Sequence, residues 1–225
     1  DVLFLCNPNN PTGISINRDF LFRVLRVCRE LDILLVVDEC FLDFIEEPER
    51  FTLKAQLSRY HNLFLLKAFT KRYAMPGIRL GYGITENREL LEAMTQVTQP
   101  WNISVMAQAA GIAALKESAY VEKGRQMVFC EAKYLKEELA SLGMQVYPSE
   151  AYYIFFRGPE NLFEICAQQN VLIRDCSNYS GLRKGFYRVA VRTHEENEQL
   201  IRAIKDGTMA AAVAHAAALE EEEQA

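Results

Sequence analysis

Apolar runs of strand length alternate with segments of helical spacing in the first part of the chain. Residues from Asn17 to Leu31 carry apolar side chains at helical spacing, and Asn17 suits an N-cap. A short helix is predicted near Leu53–Arg59. Buried strands are predicted at residues 2–7, Ile33–Val37, Leu63–Leu66 and Leu80–Ile84. Continuous apolar strands separated by helices predict an α/β fold with a mostly parallel sheet covered on both faces.

The second half of the sequence predicts a smaller α+β lobe. Helical spacing extends from about Ser104 to Leu142, relaxes near Glu117–Tyr120, and ends at Gly143, which suits a C-cap. Helices are also predicted at Asn161–Gln169 and Glu195–Lys205. The predicted strands of this lobe are Gln145–Tyr147, Tyr152–Phe156, Val171–Arg174 and Tyr187–Val191.

These elements predict two domains and a tail. Residues 1–103 form the remainder of a large domain, and residues 104–206 form a connecting helix and a small C-terminal domain. Residues 207–225 are rich in Ala and Glu and predict a frayed helix or a disordered tail. Because the chain opens inside a strand and without Met, we expect an N-terminal part of the large domain to be missing.

Composition argues against several classes of protein. The chain has 25 Lys and Arg against 30 Asp and Glu, a net charge of −5, and no basic stripe of the kind that nucleic-acid binding requires. No apolar stretch reaches the roughly 18 to 20 residues that span a membrane, and no signal peptide opens the chain. The six cysteines include no C-x-x-C pair, and the histidines show no metal-ligand spacing. We therefore expect a cytoplasmic protein without a metal site, a membrane anchor or a nucleic-acid partner.

Polar groups follow three of the predicted strands. Asn10 lies in a turn after the first strand, Asp38 ends the second, and Lys71 follows the third. In parallel sheets the carboxyl ends of the strands share one edge, where ligands bind. An amide, a carboxylate and an amine can together hold a pyridoxal phosphate ring and form a Schiff base with its aldehyde. Each residue also has an ordinary structural interpretation, as a turn residue or a solvated lysine.

Three arginines add potential anion contacts. Arg79 follows Lys71 in one short loop, and its guanidinium group suits a phosphate, although a surface ion pair is the alternative. Arg174 ends one predicted strand and Arg188 begins another, on either side of Asn178–Gly181. The last two arginines could converge on an anionic substrate.

Three motifs together resemble the fold-type I pyridoxal phosphate enzymes of the aminotransferase class I/II superfamily. They are Asn10-Pro11-Thr12-Gly13, the segment Val37–Phe44, and the segment Thr70–Tyr82, and the resemblance covers roughly residues 1–206. It implies that fold, pyridoxal 5'-phosphate as cofactor, and a homodimer.

The resemblance also implies a role for each candidate residue. Lys71 would be the Schiff-base lysine, Asp38 the partner of the pyridine nitrogen, and Asn10 the amide near the phenolic oxygen and the substrate. The implied phosphate contacts of the cofactor come from Arg79 and Thr70. Arg188 would bind the substrate carboxylate and Arg174 a substrate phosphate.

Two residues depart from the pattern of this family. Phe41 replaces a tyrosine that commonly bonds the cofactor oxygen, and Ala68 replaces a serine or threonine that helps to bind its phosphate, unless Thr70 compensates. The segment expected to be missing would carry a glycine-rich phosphate cup and an aromatic residue that stacks on the ring. We therefore expect weak cofactor binding by the 225-residue chain alone.

The resemblance favours decarboxylation of a phosphorylated amino acid, because Arg174 and Arg188 can hold two anionic groups and Phe41 replaces tyrosine. Transamination with the same cofactor is the first alternative. A catalytically inactive binding or assembly module is the second.

Overall fold

The first compact unit is built on a four-stranded sheet. The structure is a computed structural model that describes the backbone of residues 1–223 and the side chains of residues 1–210. The strands, in spatial order, are β1 (Val2–Cys6), β2 (Leu34–Asp38), β3 (Leu63–Ala68) and β4 (Gly81–Ile84). The pairs β1–β2 and β2–β3 are parallel, while β3–β4 is antiparallel. The predicted mostly parallel sheet is confirmed.

Helix α1 (Arg18–Glu30) covers this sheet. The predicted cap is confirmed, because Asn17 Oδ1 accepts the backbone N–H of Asp19 at 2.7 Å. Leu21 and Leu25 are fully buried and belong to one apolar cluster with residues of β2 and β3. The short helix predicted near Leu53–Arg59 is a 3-10 helix at Lys54–Arg59.

After α1, three shorter α-helices precede one long helix in chain order. They are α2 (Phe69–Arg72), directly after β3, α3 (Arg88–Val97) and α4 (Val105–Ala114). The sequence pattern did not predict α3, which Asn87 caps by accepting the N–H of Leu90 at 2.9 Å. Helix α5 (Ser118–Ser141) completes the helical region, which is interrupted at residues 115–117. The boundary between the two compact units falls within α5, after Arg125. The domain bounds drawn from the sequence stay a prediction.

Within the described residues, the second unit contains the part of α5 after Arg125, an antiparallel sheet and two further helices. Its strands, in chain order, are β5 (Gln145–Val146), β6 (Tyr153–Arg157), β7 (Arg174–Asp175) and β8 (Phe186–Ala190), in the spatial order β5-β6-β8-β7. The helices are α6 (Leu162–Gln168) and α7 (His194–Glu223). The expected Ala- and Glu-rich tail begins within α7. Its last two residues lie outside the described residues.

The strand predicted at Val171–Arg174 is wrong over its first three residues. The N–H of Val171 donates to Cys166 O at 2.9 Å, so this residue completes the end of α6 instead of pairing in the sheet. Only Arg174 and Asp175 pair with β8. Apolar character alone cannot separate a helix end of this kind from a short strand.

The Asn-Pro-Thr-Gly turn ends at a glycine that packs tightly. Residues Pro11–Gly13 belong to the second unit, whereas Asn10 belongs to the first. Gly13 has φ +72°, and its carbonyl accepts the N–H of Glu150 at 2.9 Å. A Cβ at this position would lie 2.0 Å from Ser149 Oγ. Both the backbone conformation and the close approach therefore require glycine.

Candidate functional site

The carboxyl ends of β1, β2 and β3 lie at one edge of the first sheet. Cys6 is in register with Asp38, which is in register with Leu66. Beyond the strands, the Asn7 N–H donates to Asp38 O at 2.9 Å and the Glu39 N–H donates to Leu66 O at 3.0 Å. Asp38 therefore lies at the same edge of the sheet from which the segments that carry Asn10 and Lys71 start.

Asn7 fixes the loop that contains Asn10. Its side chain is fully buried, donates to Phe51 O at 2.7 Å and accepts the N–H of Ile16 at 2.7 Å. Sequence reasoning missed this residue, although a polar amide directly after an apolar strand was a signal. One bond joins Asn7 to Ile16 at the other end of the loop, and the second ties the start of the loop to Phe51.

Asn10 and Asp38 both affect the pKa of the Cys6 thiol. Burial raises the pKa of Cys6, the backbone N–H of Asn10 lowers this pKa, and the negative charge of Asp38 raises it. These effects require that Asn10 and Asp38 lie close to the same sulfur. The structure thus brings these two predicted residues together.

Asp38 also interacts with Cys40. Its Oδ1 accepts the backbone N–H of Cys40 at 2.9 Å. Burial, and then the hydrogen bond and charge of Asp38, raise the pKa of the Cys40 thiol to about 12. The carboxylate is therefore held in place by backbone at a half-buried sheet edge, and a pyridinium N–H would need only one of its oxygens.

Lys71 lies on α2, where the chain leaves β3. Its Nζ lies 5.7 Å from the centroid of the Phe41 ring. Within the described part of the chain, no carboxylate oxygen lies within 4.0 Å of this amine. The helix itself is anchored by the buried Phe69, whose N–H donates to Leu80 O at 3.1 Å. An amine that is not tied to a carboxylate is suited to react with a carbonyl group.

Arg79 and Thr70 flank Lys71 in the chain. Thr70 is half-buried on α2, whereas Arg79 is exposed and donates to Pro76 O at 2.9 Å. Arg79 also has φ 58°, in a region that is unfavourable for residues other than glycine. Their contact with a cofactor phosphate stays a prediction.

A chain of alternating charges, missed from the sequence, lies beside these residues. Glu39 is fully buried, and it accepts the Thr52 hydroxyl at 2.7 Å and forms an ion pair with Lys67 at 3.0 Å. Lys67 Nζ lies 3.9 Å from Asp43 Oδ1, which also accepts Arg72 Nη1 at 2.6 Å. We call these four charged residues the ionic chain.

In the second unit, Arg174 and Arg188 lie directly opposite each other on β7 and β8. Arg174 is exposed, donates to Asn178 Oδ1 at 3.1 Å and lies 5.8 Å from the centroid of the Tyr179 ring. The guanidinium of Arg188 lies 5.2 Å from the Tyr153 ring centroid. Like charges at directly opposed positions repel, so this arrangement is suited to an anion.

The two arginines affect the pKa of a neighbouring thiol, that of Cys176. Burial raises the pKa of Cys176, and the positive charges of Arg188 and Arg174 both lower it. The two arginines therefore lie close to the same thiol, and their contact with a substrate stays a prediction.

The described residues contain no group of three or more His, Cys, Asp or Glu side chains that could hold a metal ion. Among these residues there is also no helix that is both long and apolar enough to cross a membrane.

The fold and these residues define a family. The sequence profile described as "Aminotransferase class I and II" matches residues 1–204, and the chain belongs to this family. It is 35% identical over 210 residues to a threonine-phosphate decarboxylase of Salmonella typhimurium, an alignment that covers 92% of this chain and 57% of the relative.

Solved structures share the same fold. A histidinol-phosphate aminotransferase from Clostridium acetobutylicum matches with a TM-score of 0.87 and 33% identity, over 92% of this chain and 63% of that one. A histidinol-phosphate aminotransferase from Sinorhizobium meliloti, in complex with pyridoxal-5'-phosphate, matches with a TM-score of 0.80 and 19% identity, over 93% and 57%. The chain thus spans less than two thirds of these proteins.

Members of the family bind pyridoxal phosphate, and the residues present fit this cofactor. Lys71 offers an amine without a carboxylate partner in the described residues, and Asp38 offers a carboxylate held by backbone. Asn10 lies in the loop after β1, and its backbone N–H and the Asp38 carboxylate both affect the Cys6 thiol. The expected fold and cofactor are both confirmed.

Proposed function

We propose that this chain carries catalytic residues of a pyridoxal-phosphate-dependent decarboxylase. Its substrate is O-phospho-L-threonine, and its product is (R)-1-amino-2-propanol phosphate for cobalamin biosynthesis. The observation that carries the proposal is the opposed pair Arg174 and Arg188, which offers two cations to a substrate with two anionic groups. The identity of 35% to a threonine-phosphate decarboxylase supports it.

Each predicted residue then has a role. Lys71 would hold the cofactor through its amine and would transfer a proton at the α-carbon of the substrate. Asp38 holds the proton on the ring nitrogen, and Asn10 donates to the phenolic oxygen and borders the substrate. Arg79 and Thr70 bind the cofactor phosphate. When bound, the cofactor supplies a ring that accepts the electron pair of a breaking bond.

The two arginines select the bond that breaks. The bond that would break is the one whose electron pair the bound cofactor can accept, and the orientation of the substrate decides which bond that is. Arg188 binds the substrate carboxylate and Arg174 the substrate phosphate, so together they fix the rotation about the α-carbon. Lys71 would donate a proton to the α-carbon after the carboxylate leaves as carbon dioxide.

A second candidate function is transamination of the histidinol-phosphate type. The Clostridium acetobutylicum aminotransferase favours it, with 33% identity and a TM-score of 0.87. The same residues would serve either reaction, because the two reactions differ in whether carbon dioxide or a proton leaves the α-carbon of the substrate. An inactive binding module is a third candidate, since Ala68 stands where a serine or threonine helps to bind the cofactor phosphate in the family.

We also propose a homodimer. Four large apolar side chains around α3 and α4 are strongly exposed, namely Val97, Trp101, Val105 and Met106, at 83%, 95%, 78% and 75%. Exposed apolar surface of this kind is typical of a protein interface.

Replacing Arg174 by Ala tests the substrate assignment. In the protein expressed from its complete gene, we expect Arg174→Ala to lower kcat/KM for phosphothreonine about tenfold to a hundredfold, because one charge-assisted hydrogen bond is lost. Activity on threonine should change little. Arg183→Ala, at an exposed position of the same unit, is the control. Equal losses for phosphothreonine and threonine would contradict a phosphate contact.

A further inference from the structure

The short helix that carries Lys71 needs support from side chains. Helix α2 contains only four residues, too few to be stable through its own backbone hydrogen bonds. Phe69 secures one side of it, since its ring stacks on Tyr73 at 5.1 Å and meets Tyr82 edge-on at 5.9 Å. This aromatic packing joins the first residue of the helix to its C-cap, Tyr73.

Arg72 secures the other end. Its Nη1 donates to Asp43 Oδ1 at 2.6 Å, and its guanidinium lies 5.6 Å from the Tyr73 ring centroid. The Asp43 side chain is only 18% exposed, and Arg72 is 38% exposed, so the pair is partly shielded from water. A short charge-assisted bond in such surroundings constrains geometry more than an exposed surface pair does.

The partner of Arg72 is itself fixed by the rest of the ionic chain. Asp43 lies in the 3-10 turn Leu42–Phe44, which follows Asp38 closely in sequence. It is also 3.9 Å from Lys67, which pairs with the fully buried Glu39. Glu39 directly follows Asp38, and Arg72 directly follows Lys71. The ionic chain therefore starts next to one predicted catalytic residue and ends next to the other.

We propose that the Arg72–Asp43 pair is a positioning device, which holds the Lys71 amine at a fixed place relative to the Asp38 carboxylate. Glu39 and Lys67 support the pair from the buried side. Neither Arg72 nor Asp43 touches the reacting atoms in this proposal. The inference rests on the proposed role of Lys71 and is independent of whether the reaction is decarboxylation or transamination.

The test uses covalent trapping of the cofactor. The protein expressed from its complete gene is loaded with pyridoxal phosphate and reduced with borohydride, and the fraction of Lys71 that carries the adduct is measured by peptide mass spectrometry. We expect Arg72→Ala to reduce this fraction, to shift the visible absorbance of the bound cofactor, and to raise the cofactor Kd about tenfold. Arg72→Lys keeps the charge and should recover most of the adduct.

Two further variants separate positioning from stability. Arg50→Ala removes an exposed ion pair with Glu47 in the same unit and should leave trapping and absorbance unchanged. Asp43→Asn keeps the size of its side chain, and it should reproduce the loss seen for Arg72→Ala with little further loss in the double variant.

The outcomes distinguish the inference from the proposed function. An adduct on another lysine in the unaltered protein would overturn the role of Lys71 and this inference with it. Undiminished trapping and unchanged absorbance in Arg72→Ala, with only a lower free energy of unfolding, would overturn the positioning role alone.

Discussion

The surroundings of Cys40 strongly raise the pKa of its thiol. Its thiol lies against the Asp38 carboxylate, and burial together with this negative charge raises its pKa from 9.0 to about 12. The thiol therefore stays protonated in the folded protein over a pH range in which it ionises in the unfolded chain.

This raised pKa predicts a loss of stability at alkaline pH. Between pH 9.0 and about 12, the unfolded chain binds fewer protons at Cys40 than the folded chain does. The free energy of unfolding should fall there by about 1.4 kcal/mol per pH unit from this group, and below pH 9.0 the contribution is constant. Urea unfolding of the unaltered protein and Cys40→Ala at several pH values measures the difference. Parallel pH dependence of the two proteins would contradict it.

Asp38 and Lys71 were proposed from the sequence because Asp38 ends an apolar run and Lys71 follows one closely. Residues that act through contacts distant in the chain were missed. Arg72 pairs with Asp43 and Asn7 bonds to Phe51, contacts that depend on how loops fold. No spacing rule reveals such contacts in one sequence.

At the level of elements, the Asn-Pro-Thr-Gly turn packs on the loop before β6. Gly13 accepts a hydrogen bond from Glu150 and leaves no room for a Cβ beside Ser149. The turn thus serves the structure of the second unit, in addition to the proposed role of Asn10.

Gly13→Ala should therefore destabilise the protein. A Cβ at 2.0 Å from Ser149 Oγ forces a local shift, and φ +72° is unfavourable for alanine. The combined cost is about 2 to 4 kcal/mol in the free energy of unfolding. Gly124→Ala is the matched control, because no atom lies within 4 Å of a Cβ at this position in α5, so that it should be neutral or slightly stabilising. Equal urea midpoints for the two variants would refute the packing argument.

The elements that were predicted well are those with long, regular apolar patterns. Helix α1 and strands β1 to β3 agree with the sequence to within about two residues. Strand β7 has only two residues, and the end of α6 takes up Val171 and leaves Leu172 exposed. Such short elements are set by tertiary hydrogen bonds rather than by periodicity.

For the whole molecule, the apolar strands predicted the α/β fold, and the resemblance of three motifs to class I/II aminotransferases implied the family and the cofactor. Membership of the family does not by itself determine which reaction takes place. Relatives of 35% and 33% identity carry different reaction names. In the proposed function, the difference depends on how Arg174 and Arg188 orient the substrate.

Release of carbon dioxide from the substrate distinguishes decarboxylation from transamination. The protein expressed from its complete gene is incubated with pyridoxal phosphate and carboxyl-labelled O-phospho-L-threonine, without any keto acid. We expect labelled carbon dioxide and 1-amino-2-propanol phosphate in equal amounts, since decarboxylation needs no amino-group acceptor. Product that forms only when a keto acid is supplied, with the label retained in the carboxylate, would contradict decarboxylation and establish transamination in its place.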